Sequence, residues 1–300
     1  GIAGIHSNYD ITEDFESRWQ RMKKWFIGLV LLFIAVFIWV PLWMLLSGTL
    51  MGAGELSSNL APVLESDDGF ATWPIIANYP TLQAYVELLL DTPQFFTVFW
   101  NSCKQVFPII LGHIVLGAPA AWAFARFEFR GKKVLYTLYI VLMLMPFQVT
   151  MVSSYLVLNK LGFIDTIWAI ILPGAASTLP VFIMTRFFLS IPSAVTEAAS
   201  VDGASPIQTF LRLGLPLGAP GILSVVVLGF LEYWNAMEAP QAFLKDQTLW
   251  PLSLYMADIT ADNAGVSLIA SLITLMPPLL IFLFGQRYLE QGIISSGMKD

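Results

Sequence analysis

Trp25-Phe26-Ile27-Gly28-Leu29-Val30-Leu31-Leu32-Phe33-Ile34-Ala35-Val36-Phe37-Ile38-Trp39-Val40 opens a charge-free stretch that runs to Gly54. A helix that crosses a bilayer needs about 20 mostly apolar residues, and this run exceeds that. It overshoots at its far end, where Ser47-Gly48-Thr49 reads as a turn. Five more charge-free runs follow: Gln105–Ala125, Val134–Asn159, Thr166–Thr185, Leu213–Leu231 and Asn263–Gln286. None alternates with period two, which argues against a membrane β-barrel. The expected fold is an all-α membrane protein with six transmembrane helices. Composition agrees: 57% of the 300 residues are hydrophobic and 12% charged, against roughly a quarter charged in a soluble domain.

Charge placement orients these helices. Arg18, Arg21, Lys23 and Lys24 precede the first run. Residues 47–94 carry no Lys or Arg, but do carry Glu55, Glu65, Asp67, Asp68, Glu87 and Asp91. Arg126, Arg130, Lys132 and Lys133 crowd the next connection. Lys and Arg collect in cytoplasmic loops, so both chain ends are expected inside. Of the 15 basic residues, Lys104, Lys160 and Lys245 alone fall on or near the outer side. The expected division is a cytoplasmic segment 1–24, a six-span domain 25–286 and a cytoplasmic tail 287–300. Outer loops then cover 47–94 and 235–262, and a cytoplasmic loop covers 190–216. The first outer loop is rich in Gly and Pro and reads as largely irregular, apart from a short helix capped by Thr81 and stopped by Asp91-Thr92-Pro93. That helix is either a lid on the bundle or a docking surface. No cleavable signal peptide is expected, because the residues before Trp25 are polar and no A-x-A-like site follows. The lone Cys103 excludes an internal disulfide and a thiolate metal cluster.

The 190–216 loop contains Pro192-Ser193-Ala194-Val195-Thr196-Glu197-Ala198-Ala199-Ser200-Val201-Asp202-Gly203-Ala204-Ser205-Pro206. Pro192 suits a first helical turn. Gly203 accepts the left-handed conformation that ends a helix. Ser205-Pro206 offers a cap and first-turn pair for a second short helix, which Gly214 and Pro216 are expected to end. Alanines at such an elbow let a helix approach a partner surface closely.

The order of these residues resembles the E-A-A-x3-G-x9-I-x-L-P signature of permease subunits in binding-protein-dependent ABC importers. Glu197, Ala198, Ala199, Gly203, Leu215 and Pro216 stand at the family's spacing, with Leu213 where Ile is usual and Asp202 beside the glycine. Asn101-Ser102, the Ala121–Phe127 block, Trp234-Asn235 and the tail Gln286-Arg287-Tyr288, Gln291-Gly292, Gly297-Met298-Lys299 resemble the carbohydrate, maltose-type branch and its shorter permease. Met298 and Asp300 depart from the usual Val and Gly of that ending. The resemblance implies a coupling loop docking on a separate ATPase, a second and different permease, two ATP-binding subunits and an extracytoplasmic solute-binding protein. It also implies location in a bacterial or archaeal cytoplasmic membrane, with no role for nucleic acid.

The chain itself carries no phosphate cradle. Its one Gly-Lys, Gly131-Lys132, lacks the preceding glycine and following Ser/Thr. ATP and Mg are therefore expected on partner subunits, the chain is expected to need no cofactor or metal of its own, and no motif suggests an enzyme. Polar groups at membrane depth usually face protein or a water-filled path. Asn101, Lys104, Gln148, Glu232, Tyr233, Trp234 and Asn235 are the candidates for that path. Lys104 and Glu232 also fit snorkelling to the outer interface. Pro146, Pro173, Pro180 and Pro277-Pro278 are expected to bend their helices, as broken helices open transporter cavities. Another cargo (glycerol-phosphate, polyamine or another small solute), an ion-driven secondary transporter, and a non-transporting membrane scaffold are the competing readings.

Overall fold

A computed structural model describes residues 3–64, 69–255 and 263–297, with the side chains of 3–18, 20, 64 and 291–297 left out of account. Among these residues the secondary structure is helical, apart from one isolated bridge between Met51 and Pro80. In chain order the helices are α1 Ala3–Gly48, α2 Ala53–Leu64, α3 Gln83–Val86, α4 Pro93–Gly112, α5 Ala118–Arg126, α6 Lys132–Leu144, α7 Phe147–Lys160 and α8 Trp168–Ala175. Then come α9 Thr178–Ser190, α10 Ser193–Val201, α11 Pro206–Thr209, α12 Leu215–Leu217, α13 Ala219–Trp234, α14 Glu238–Phe243, α15 Leu252–Tyr255 and α16 Ala264–Gly297.

Four stretches are long and apolar enough to cross a membrane: Arg21–Gly48, Pro93–Arg126, Trp168–Ser190, which is interrupted at Ala176-Ser177 between α8 and α9, and Ala264–Glu290. Two bent pairs raise the number to six where each is counted as one span: α6 with α7 at 106°, and Pro206–Leu217 with α13 at 68°. Each expected span falls within one of these stretches or bent pairs, but the ends and shapes differ. The second starts at Pro93 rather than Gln105, because Lys104 interrupts the charge-free run without interrupting the helix. The third is broken at Met145-Pro146. Pro146 adopts an extended backbone (φ −65, ψ 148) just ahead of α7, and the residue before a proline is biased out of the helical region. By contrast, Pro277 and Pro278 sit inside the unbroken α16.

Residues 47–94 are less irregular than expected, because α2 fills twelve of them. The 1–24 segment is helical from Ala3 and continuous with the first span. The last span likewise runs on to Gly297, so the 287–297 tail is helix. Glu65, Asp67, Asp68, Asp258 and the Met298–Asp300 ending fall outside the described residues.

Three π-helical turns, Glu87–Asp91, His113–Gly117 and Phe210–Gly214, each end two residues before a proline (Pro93, Pro119, Pro216). A proline cannot donate to the carbonyl four residues back and its ring clashes with it. Widening the preceding turn by one residue relieves that clash. The Leu215 N–H accordingly reaches Phe210 O.

The chain divides into two compact units, residues 1–85 with 260–268, and 86–259 with 269–300. The first has a small core of Met51, Leu56, Ala77 and Ala264. The second has two cores. One joins α5, α9 and α13 through Ala118, Trp122, Met184, Phe188 and Val225. The other joins α4, α7, α8 and α14 through Ile109, Leu158, Ile170 and Phe243. Trp25, Phe26, Leu29, Phe33 and Phe37 of α1 are all exposed. A row of bare large apolar side chains at helical spacing needs lipid or another protein to cover it.

Candidate functional site: an elbow, its root and a cavity at the helix breaks

α10 ends in a hydrogen-bonded reversal. Gly203 has φ +80, the left-handed region that favours glycine. The Ala204 N–H donates to Ala199 O at 2.9 Å and the Gly203 N–H to Ser200 O at 3.1 Å. This pair of bonds is a Schellman closure of the helix C-terminus. Two residues on, Ser205 caps α11. The Gln208 N–H donates to Ser205 Oγ at 3.3 Å and the Ser205 N–H to Gln208 Oε1 at 2.9 Å, a reciprocal capping box. Both helix ends that meet at the elbow are therefore closed.

Glu197, Ala198, Asp202 and Gly203 are exposed on the elbow, with Ala199 half-buried. Val201 is 88% and Ile207 71% exposed. Leu213, Leu215 and Pro216 are not on the elbow; they stand at its root. The helix does not end at Gly214 or Pro216 as expected but continues to Leu217, and the break comes at Gly218. Gly214 is a packing position: a Cβ there would lie 2.9 Å from the Trp122 ring. A Cβ at Gly218 would collide with the Phe188 ring. Phe210 completes this root, its ring 5.7 Å from Trp122 and 6.4 Å from Phe188.

Arg126 anchors the same root, a role missed in the sequence, where it counts as an inside charge and as a member of the Ala121–Phe127 block. Its guanidinium lies over the Trp122 ring at 5.5 Å. It donates to Phe188 O at 2.7 Å and also to Ile191 O. A cation at the C-terminal carbonyls of α9 is where the helix dipole favours it, and these bonds hold the point at which α9 passes into the elbow.

The second assembly is a cavity of about 680 Å³ where three helix breaks converge. Met145 and Phe147 flank the α6–α7 bend, Ser177 and Thr178 the α8–α9 break, and Asn235 and Met237 the end of α13. Glu232, Tyr233, Asn235 and Glu238 also line it, as do Thr150 and Ser154. Tyr233 OH donates to Gly174 O at 3.4 Å, and Asn235 Nδ2 to Leu231 O at 2.8 Å. Glu232 is exposed and makes no hydrogen bond or ion pair among the described residues. An adjoining recess of about 470 Å³ shares Phe147, Glu238 and Phe243 and adds Gln148, Met151 and Tyr155. Gln148 Nε2 donates to Glu238 Oε1 at 2.7 Å.

Four of the seven expected path residues, Gln148, Glu232, Tyr233 and Asn235, thus come together. Three do not. Lys104 is exposed on α4, away from both cavities. Trp234 is buried, stacks on Phe230 at 5.2 Å and donates from Nε1 to Thr274 O at 3.1 Å. Asn101 is buried and its amide is spent on Thr248 O and Trp250 O. Its neighbours act alike: Gln105 Nε2 donates to Leu249 O, and the Leu252 N–H donates to Ser102 Oγ. Asp165 ties the other end of this segment. It sits at φ +61, and its Oδ1 accepts from the Lys245 and Asp246 N–H groups, both at 2.8 Å. Nothing in the sequence singles out Asp165, because its partners lie 80 residues on. Asp246 in turn caps the 247–249 turn, its Oδ1 accepting from the Thr248 N–H at 2.9 Å; bonds from Thr248 hold the Asp246 carboxyl below its ordinary range, so the Asp246 cap is lost only as pH falls through that lowered value.

Among the described residues no group of three His, Cys, Asp or Glu is placed to hold a metal ion. The model of binding-protein-dependent transport system inner membrane components matches residues 113–295, which takes in the elbow, its root and the cavity. The chain belongs to that family. As an inner membrane component it is a multi-pass membrane protein of a transport system. This component is 30% identical over 290 residues to a putative ABC transporter permease protein of Caldicellulosiruptor sp., covering 93% of this chain and 98% of that one. It is 25% identical to the arabinooligosaccharides transport system permease protein of Halalkalibacterium halodurans, covering 73% and 80%. In fold it matches a chain of a bacterial ABC transporter involved in the import of the acidic polysaccharide alginate. That match has a TM-score of 0.77 at 18% identity and covers 89% of this chain and 96% of the other.

Proposed function

We propose that this component is the permease subunit of an ATP-driven sugar or oligosaccharide importer, coupled to separate ATPases through residues 190–216. The observation that carries the reading is the elbow. It is a pair of short helices, each closed by hydrogen bonds at the end where they meet, with the apolar side chains of Val201 and Ile207 exposed and Arg126 and Phe210 at its root on the packed faces of α5 and α9. Such a body suits docking in a cleft of an ATP-binding subunit, with Glu197 to Gly203 at the contact and Leu213, Leu215 and Pro216 carrying movement to α13.

In this reading two ATPase subunits, which bind ATP and Mg, lie on the cytoplasmic side. A second, different permease pairs through exposed apolar faces such as that of α1, and a solute-binding protein docks outside. Both chain termini are inside. ATP binding closes the ATPases, the elbow moves with them, and the cavity opens outward to accept cargo. Coupling requires that ATP and the loaded binding protein favour the same conformation. A sugar cargo is supported by the arabinooligosaccharide and alginate relatives, and by a cavity that mixes aromatic faces with hydroxyl and carboxylate groups.

The test is reconstitution of the co-purified complex in vesicles, with uptake of the sugar its binding protein retains. ATP-dependent uptake that Ala198→Trp abolishes, with complex assembly judged separately, is the expected result. Uptake that persists without ATP hydrolysis, or by this chain alone, would overturn the importer reading.

A further inference from the structure

The cavity at the helix breaks carries charge of one sign. Glu232 and Glu238 line it, and among the described residues no Lys, Arg or His lines either it or the adjoining recess. The two carboxylates are not equivalent. Glu238 already accepts a hydrogen bond from Gln148 at 2.7 Å, whereas Glu232 has no partner among the described residues and stands next to Tyr233. A carboxylate is acceptor-only, with room for about four hydrogen bonds. An unpartnered one at the wall of a cavity is suited to a ligand rich in O–H donors and repels a ligand that brings a second carboxylate or a phosphate. Around it, Tyr233 and Phe147 offer aromatic surface, and Thr150, Ser154 and Ser177 offer hydroxyls.

We infer that Glu232 is a specificity-determining residue, which accepts hydroxyl hydrogen bonds from an uncharged oligosaccharide and bars anionic saccharides from the path. The inference rests on the importer reading above and adds the charge class of the cargo.

The experiment uses the complete importer complex in lipid nanodiscs and two trisaccharides of matched length, neutral maltotriose and anionic trigalacturonate. Equilibrium binding to the membrane complex, without the solute-binding protein, is compared for wild type, Glu232→Gln, Glu232→Lys and Glu128→Gln. Glu128 is the control carboxylate; it is exposed and paired with Lys132 at 2.8 Å, outside the cavity. Wild type is expected to bind the neutral probe in preference. Glu232→Gln should shift the ratio of the two affinities toward trigalacturonate by about tenfold, from removal of one like charge at close range. Glu232→Lys should shift it further, and Glu128→Gln should leave it unchanged.

Equal affinity of wild type for both probes, or for neither, overturns the inference. So does a ratio that Glu232→Gln leaves in place or that Glu128→Gln moves equally. Assembly with ATPase subunits and ATP-dependent uptake are scored on the same preparation. A complex that hydrolyses ATP and transports but shows no charge preference sinks this inference alone, while a chain that recruits no ATPase sinks the importer reading.

Discussion

At the scale of single residues, the chain places polar groups where they close backbone and leaves one where it does not. Gly203 owes its identity to φ alone, since a Cβ there would meet nothing within 4 Å. Gly203→Ala should therefore cost about 1–2 kcal/mol at the elbow, the left-handed penalty of an L-residue. ATP-driven uptake should fall while the amount of protein in the membrane fraction stays the same; Gly203→Pro should abolish uptake. Asn101 belongs to a different class. Asn101→Leu would strip the donor from two carbonyls of the 248–250 segment, at about 1–3 kcal/mol for each buried group left unpaired. A lower melting temperature of the purified protein is the expected reading. The sequence supports Asn101 as a polar group inside a span, but not its purpose, because the carbonyls it binds are nearly 150 residues away. Asp165 is hidden for the same reason. Gly203, whose role is local, is legible from Asp202-Gly203 alone.

At the scale of elements, what was legible followed the range of the interaction. Six apolar runs, the elbow between 190 and 216, and a break at Pro146 all follow from length, charge and turn chemistry along the chain. The 106° angle at that break does not, because it is set by packing of Phe147 and Met151 against α8 and α14, partners no local pattern reveals. Gly214 is the instructive miss. A glycine before a proline reads as a helix end, yet here it serves as the floor for Trp122 while the helix widens into a π turn and goes on. The two helix ends at the elbow yield a prediction of their own. Ser205→Ala removes one half of the capping box and should cost about 1 kcal/mol. Faster hydrogen exchange of the Ile207 to Thr209 amides, with α9 unaffected, is the expected outcome.

At the scale of the whole molecule, the orientation inferred from basic residues can be tested directly, since the native chain offers only Cys103, which is buried. With Cys103→Ser as background, Val201→Cys should react with a membrane-impermeant maleimide only from the cytoplasmic face, and Lys245→Cys only from the outer face. Labelling of both from one side would refute the six-span arrangement. Exposed apolar side chains along α1 likewise predict that a detergent-isolated single chain self-associates or loses solubility unless its partner permease is present. The closed elbow, finally, bears on how work travels through such a machine. A hinge with unpaired backbone would act as a soft spring in series, absorbing part of any stroke applied at Val201 as local bending. With hydrogen bonds shutting both abutting helix ends and Arg126 gripping the root, the linkage has little backlash. A displacement of the tip should arrive at Gly218, the break just ahead of α13, with its amplitude nearly intact.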